Sequence, residues 1–225
     1  MNNFIWIALE GIGGVGKTTQ MEYLKDTLPN LYPDISIYFA NEFSEDSKIG
    51  LALSSSAKKG IRVGNRAESN LLNHLLVIAD RISCINKIHS NTSVVIYDRF
   101  ILSDMAHALT DCKVNDSEIL ALLKDTFDSI YEPCFTGNSQ PTIFYLYFKC
   151  SIDTACRRIE QRQNTKTSNP KVFLTYLSES YDTMLSCIDN PIYYIDTEKS
   201  PNLVHIDILN AVENILQKCD ITKIK

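Results

Sequence analysis

The stretch Phe4-Ile5-Trp6-Ile7-Ala8-Leu9-Glu10-Gly11-Ile12-Gly13-Gly14-Val15-Gly16-Lys17-Thr18-Thr19-Gln20 joins an apolar run, long enough for a buried strand, to a complete G-x-x-x-x-G-K-[ST] loop. The helical segment Gln20-Met21-Glu22-Tyr23-Leu24 follows, and strand, loop and helix together are the context in which this spacing cradles phosphate. Gly11, Gly13, Gly14 and Gly16 let the backbone turn tightly and, with Val15, aim N–H groups inward at an anion. The Lys17 ammonium reaches the β- and γ-phosphates, the Thr18 hydroxyl is placed to ligate Mg²⁺, and Thr19 continues the loop. The helix beginning near Lys17 adds its positive N-terminal end. A nucleoside triphosphate is the expected ligand.

Outward from this loop, strand and helix patterns alternate. Ile35 to Ala40, beyond the Pro33-Asp34 turn, reads as a second strand, Val94 to Tyr97 as a third ending at Asp98, Thr142 to Phe148 as a fourth and Ile192 to Ile195 as a fifth. Between Ala67 and His89 there is no proline or glycine, and Leu71, Leu72, Leu75, Leu76, Ile78, Ile82, Ile85 and Ile88 recur at helical spacing, which predicts a long, mostly buried helix. Further helices are expected from Glu118 to Ile130, from Ile152 to Arg162 behind a Ser151 cap, from Val172 to Ile188, and after Ser200-Pro201. The expected fold is α/β: a doubly wound, five-stranded parallel sheet of the P-loop NTPase type, with helices on both faces. The polar tract at about 163–170 lies between two helices and is the expected lid of one domain spanning 1–225.

Composition narrows the field. A chain of 225 residues with 44% hydrophobic and 22% charged residues suits one soluble domain, and no run approaches the about 18 apolar residues that a membrane helix needs. Met1 lies too close to the first strand for a secretory signal, so secretion is not expected, and without a long apolar run no membrane partner is expected. Seven cysteines without a C-x-x-C pair read as reduced thiols in the cytoplasm, and Cys150 and Cys156 match neither a zinc nor a redox spacing. A net charge of −5 argues against a nonspecific nucleic-acid binder.

Asp98 and Arg99 fall at the carboxyl end of the third strand, where open parallel sheets gather their ligands. Asp98 is placed to support the Mg²⁺ shell and Arg99 to grip an acceptor phosphate; a salt bridge or a cap on the next helix is the other reading. Arg158 and Arg162, four apart on one helix face, and Lys166 are placed to meet the transferred phosphate, unless they form a solvated surface. Phosphoryl transfer asks for positioning and charge stabilisation, which Lys17, Mg²⁺, Arg99, Arg158 and Arg162 would supply. A nucleoside hydroxyl acceptor would also need a carboxylate, for which Glu42 is the candidate. Glu42 reads equally as a substrate ligand or a cap on the segment from Ser44 to Ser56.

Together these residues resemble the thymidylate kinase family. The matching strings are Leu9-Glu10-Gly11 through Gln20, Glu42, Ala79-Asp80-Arg81, Asp98-Arg99-Phe100 with Ser103 and Ala106, Pro141-Thr142, and the Arg158 to Arg162 run. The resemblance implies an ATP- and Mg²⁺-dependent nucleotide kinase of nucleotide biosynthesis, with dTMP to dTDP as the expected reaction, and a homodimer formed through long apolar helices. It further implies that Arg81 and Arg99 hold the acceptor nucleotide, that Ser103 lines a base pocket shared with His74, Val77 and His107, and that Glu42 faces the reacting phosphates. Some members carry an arginine within the loop, where this chain has Gly14, and the others rely on basic lid residues. The chain departs from the family at Gly13 (usually acidic), Asn41 (usually arginine), Val77 (usually the aromatic that stacks on the base) and His107-Ala108 (usually an aromatic-glutamine pair). A deoxynucleoside kinase on the same scaffold and a non-catalytic nucleotide-binding module remain open alternatives.

Overall fold

In chain order the elements are β1 (Ile5–Glu10), α1 (Lys17–Leu31), β2 (Ile37–Ala40), α2 (Lys48–Lys59), α3 (Arg66–Ile85), β3 (Val94–Asp98), α4 (Ile101–Cys112), α5 (Ser117–Tyr131), β4 (Thr142–Lys149), α6 (Ile152–Gln163), α7 (Pro170–Leu185), β5 (Ile192–Asp196) and α8 (Pro201–Lys218). The computed structural model describes residues 4–59, 66–89, 91–112, 117–132, 141–163 and 170–221. Most of the expected lid, 164–169 with Lys166, lies outside the described residues.

All five strands are parallel, in the order β2-β3-β1-β4-β5. Every residue of β1 and β3 is buried, so these central strands are covered on both faces, as parallel strands with crossover helices must be. α1 packs on α8, whereas α3, α4, α5 and α7 are linked by contacts through α4. Leu9 stands opposite Asp98 in the β1–β3 register, and the Arg99 N–H donates to the Leu9 carbonyl at 3.0 Å. That register carries the glycine loop and the Asp98-Arg99 pair to the same end of the sheet.

Aromatic packing fixes this end. Trp6 lies edge-on to Phe100 with ring centroids 5.1 Å apart and tilted against Tyr97 at 5.3 Å, while Tyr97 and Phe100 are 4.6 Å apart. Phe100 also meets Tyr131 of α5 at 5.6 Å. Rings in these tilted and edge-on arrangements add to the stabilisation that burying them supplies.

Two expectations change. β2 begins at Ile37, because the Ile35 N–H is taken by the Tyr32 carbonyl in a turn. The long helix α3 is not mostly buried: Leu72, Leu75 and Leu76 are 45%, 53% and 37% exposed, and Ile88 falls beyond the helix end. Its apolar period marks two faces, only one of which reaches the core through Cys84, Ile85 and the inward Asp80 and Arg81. Among the described residues, no helix is long and apolar enough to cross a membrane.

Trp6→Ala removes a side chain that is 1% exposed. A loss of about 3–5 kcal/mol in urea unfolding is expected from a cavity of this kind, and a loss below about 1 kcal/mol would contradict the packing described here.

Candidate active site

The loop needs its glycines for defined reasons. Gly11 has φ 134°, and a β-carbon there would stand 2.5 Å from the Phe148 carbonyl oxygen. Gly14 has φ 83° and presses on the backbone of Ala155 in α6, so it has no room for an arginine. Cations above the loop must come from elsewhere, and α6 brings Arg158 and Arg162. The first turn of α1 opens from Gly16, in the left-handed region, without a capping side chain, which leaves its N–H groups for a ligand. Lys17, 5% exposed, folds back to donate to the carbonyls of Gly11 at 2.8 Å and Ile12 at 2.9 Å. Burial, with the neighbouring Arg99 charge, pushes its ammonium down to about 7, against the pull of Asp98, Glu42 and Glu10.

The exposed Thr18 donates from its hydroxyl to Asp98 Oδ2 at 3.2 Å. Asp98 Oδ1 is buried and has no hydrogen-bond partner among the described residues, and burial raises the carboxyl above its usual range. An orphaned carboxylate oxygen beside a hydroxyl of the phosphate loop suits a hard divalent cation. These two residues therefore fit Mg²⁺.

Arg99 is held from several directions. Its backbone has φ 67°, uncommon for a residue with a side chain, and its carbonyl accepts from Arg81 Nη1. Its Nη1 donates to Gly11 O at 3.0 Å, Ser103 Oγ at 3.1 Å and Tyr181 Oη at 3.2 Å. Its Nε lies 3.0 Å from Glu42 Oε1 as an ion pair whose angle makes no hydrogen bond. Arg81, 4% exposed, pairs bidentately with Asp104 at 2.7 and 3.0 Å, and Tyr131 Oη donates to the same carboxylate at 2.9 Å. Losing either partner of such a buried pair costs about 3–5 kcal/mol.

Glu10 is fully buried among these groups and accepts from the N–H of Phe100 at 2.8 Å and of Ser103 at 3.3 Å. It is thus the acceptor at the start of α4, the role that the alternative reading of Asp98-Arg99 gives to that pair. Tyr181 of α7 donates to Glu10 Oε2 at 3.1 Å. Neither residue's role is legible locally, since Tyr181 stands 171 positions from Glu10 and 82 from Arg99. Glu42 does not cap α2 among the described contacts; the Ser47 hydroxyl does, accepting from the Gly50 N–H at 2.7 Å.

On the other side of the loop lies a cavity of about 270 Å³, lined by Val15, Gly16, Thr19 and Gln20 against Arg158, Arg162, Thr197 and Lys199. Arg158 Nη2 donates to the Thr197 carbonyl at 2.7 Å, whereas Arg162 is exposed. Ser151 caps α6 through the Thr154 N–H at 3.2 Å, and Glu198 joins that turn to the β5–α8 loop through Thr154 Oγ1 at 2.9 Å.

The residues assigned by resemblance to the acceptor side gather on α3 and α4. His74 Nε2 lies 2.9 Å from Asp111 Oδ2, Val77 is half-buried, and Ser103 is buried beneath Arg99. His107 is half-buried beside the Phe173 ring at 6.1 Å, and burial together with the Arg99 charge holds its imidazole well below the usual range, hence neutral at pH 7.

A family model described as thymidylate kinase matches residues 9–208. The thymidylate kinase of Prochlorococcus marinus is 26% identical over 219 residues, covering 95% of this chain and 94% of that protein. The thymidylate kinase of Aliarcobacter butzleri is 30% identical over 106 residues, covering 46% of this chain and 50% of that protein. The chain thus spans about half the length of some curated relatives it matches and nearly all of another. Among solved structures, the thymidylate kinase of Candida albicans superposes with a TM-score of 0.64 at 18% identity, over 94% of this chain and 92% of that one. The deoxyadenosine kinase of M. mycoides with bound dATP gives a TM-score of 0.63 at 18% identity, over 92% and 99%. At that identity the likeness is one of fold.

A polyphosphate on the loop would raise the Lys17 pKa, because a nearby negative charge favours the protonated amine. Since burial depresses the amine to about 7, triphosphate binding should take up a proton at pH 8 and almost none at pH 6. Calorimetry in two buffers of different ionisation enthalpy measures this. Equal heats at pH 8 in both buffers would contradict the assignment.

Proposed function

Because the chain belongs to the thymidylate kinase family over residues 9–208, we propose that it transfers the γ-phosphoryl group of ATP to dTMP, giving ADP and dTDP. The observation that carries this reading is the Arg99 guanidinium, buried next to the phosphate loop with its Nε against Glu42, whose side chain is 40% exposed. An incoming acceptor phosphate takes Glu42's place as counterion to Arg99. The loop N–H groups and Lys17 hold the donor phosphates. The acceptor phosphate is largely ionised near neutral pH, its second pKa being about 6, and needs no general base. The work left to the protein is to hold two anions in line and offset the charge that develops between them.

Thr18 and Asp98 would hold Mg²⁺, which when bound neutralises charge on the donor phosphates. The donor's nucleoside end occupies the cavity beside Arg158, with Arg162 directed at the phosphates from the same helix. His74, Val77, Arg81, Ser103 and His107 form the acceptor side, and Arg81 and Ser103 act there through their bonds to Arg99. One kinase domain spans 1–225, and the exposed Leu72, Leu75 and Leu76 of α3 are the surface of a homodimer. The free cysteines among the described residues suit the cytoplasm.

A coupled ADP-release assay across nucleosides and their monophosphates tests the reading. dTMP is expected to be the preferred acceptor, and Lys17→Ala should lower the rate by about 10²–10³. Free thymidine or deoxycytidine as the preferred acceptor, with activity abolished in Glu42→Gln, would instead select a nucleoside kinase in which Glu42 is the base. Silence with every acceptor, despite tight ATP binding, would leave a non-catalytic binding module.

A further inference from the structure

We infer that Glu10 is a positioning residue for the acceptor, acting on Arg99 through the Tyr181 hydroxyl and the first turn of α4. The inference rests on the reading of Arg99 as the acceptor-phosphate ligand. Glu10 touches neither substrate site directly. Among the described residues, the two side-chain acceptors of Arg99 Nη1 belong to residues that also donate to Glu10: Ser103 through its N–H and Tyr181 through its hydroxyl.

The direction of the Tyr181 bond decides the matter. Glu10 Oε1 is engaged by two backbone N–H groups, so a proton added to the carboxylate goes to Oε2. There it opposes the hydroxyl hydrogen that Tyr181 donates at 3.1 Å. The Tyr181 oxygen cannot readily accept it instead, because Arg99 Nη1 already donates to it and the Gly11 N–H and Ser103 hydroxyl bear on it as well. Either Tyr181 loses Glu10, or its hydrogen turns toward Arg99 and expels a donor. In both cases the guanidinium loses a partner and the negative charge beneath it.

Burial pushes Glu10 up to about 7, against the Phe100 N–H bond and the charges of Arg81 and Arg99, with Asp104 adding to the rise. Lys17 of α1, Tyr145 and Tyr147 of β4 and Tyr181 of α7 also face it. The ionised form, which orients Arg99, prevails above about pH 7 and is lost as the pH falls through that value.

In Glu10→Gln the amide oxygen keeps the two backbone N–H groups and the amide N–H₂ faces Tyr181, which copies the protonated state at every pH. The expected result at pH 8 is a KM for dTMP raised about tenfold to a hundredfold, with the KM for ATP unchanged. At saturating ATP, where the bound polyphosphate keeps Lys17 protonated, the ratio of the wild-type to the Glu10→Gln kcat/KM for dTMP should carry an ionisation step near pH 7, because the acceptor's own phosphate titrates alike in both proteins. Tyr181→Phe, a milder change that removes only the hydroxyl and leaves the bonds of Glu10 to the first turn of α4, should also raise the KM for dTMP and reduce the step. Equal rises in both KM values, or a wild-type to Glu10→Gln ratio that stays constant through pH 7, would overturn the inference. The NMR resonance of the Arg99 Nε–H separates this outcome from failure of the acceptor reading, because it needs no substrate. A step near pH 7 in the wild type that is clearly diminished in Glu10→Gln, where the Lys17 contribution alone is left, supports the linkage even if dTMP is not the acceptor. A resonance that titrates identically in both overturns it even if the enzyme is active.

Discussion

One parallel register holds the two halves of the site together. With Leu9 opposite Asp98 and the Arg99 N–H on the Leu9 carbonyl, the ends of β1 and β3 leave the sheet side by side. The glycine loop turns away from one strand and Asp98-Arg99 from the other, so the loop lysine, a carboxylate suited to a cation and an anion-gripping arginine arise from a single pair of strands. A slip of one residue in that pairing would send the alternate side chains of β1 to the opposite face. The Trp6, Tyr97 and Phe100 rings, packed at 4.6–5.3 Å, resist the slip.

The charges at this end are numerous and buried. Lys17, Arg81 and Arg99 lie among Glu10, Asp98 and Asp104, each below a tenth exposed. Such a cluster is costly to assemble and has little freedom to reorganise, which suits a site whose work is to stabilise charge in flight. Its loose ends are informative: among the described residues Lys17 bonds to loop carbonyls alone, Asp98 Oδ1 has no hydrogen-bond partner, and Arg99 Nε faces a carboxylate without a hydrogen bond. On the proposed reading they are where donor phosphates, a cation and an acceptor anion would sit.

The sheet and the phosphate loop were legible in the sequence because they depend on local signals. β1 is a continuous apolar run, the loop is a spaced motif, and Ser151 and Ser200-Pro201 announce their helices. Family membership was legible from motifs at many points along the chain, and residues 9–208 match accordingly. α3 misled because helical periodicity reports an apolar face without telling whether that face meets the core or the outside, and Leu72, Leu75 and Leu76 meet the outside. The support beneath Arg99 was hidden for a different reason. Glu10 reads as the polar end of a strand and Tyr181 as one of several core tyrosines, and only the tertiary fold brings them to each other.

The account turns on where the acceptor's phosphate sits. A crystal structure with a nonhydrolysable ATP analogue, Mg²⁺ and dTMP measures this directly. The predicted result is the dTMP phosphate on Arg99 Nε with Glu42 displaced, and Lys17 Nζ turned from the Gly11 and Ile12 carbonyls onto the donor phosphates. An Arg99 still paired with Glu42, with dTMP bound away from it, would contradict the account.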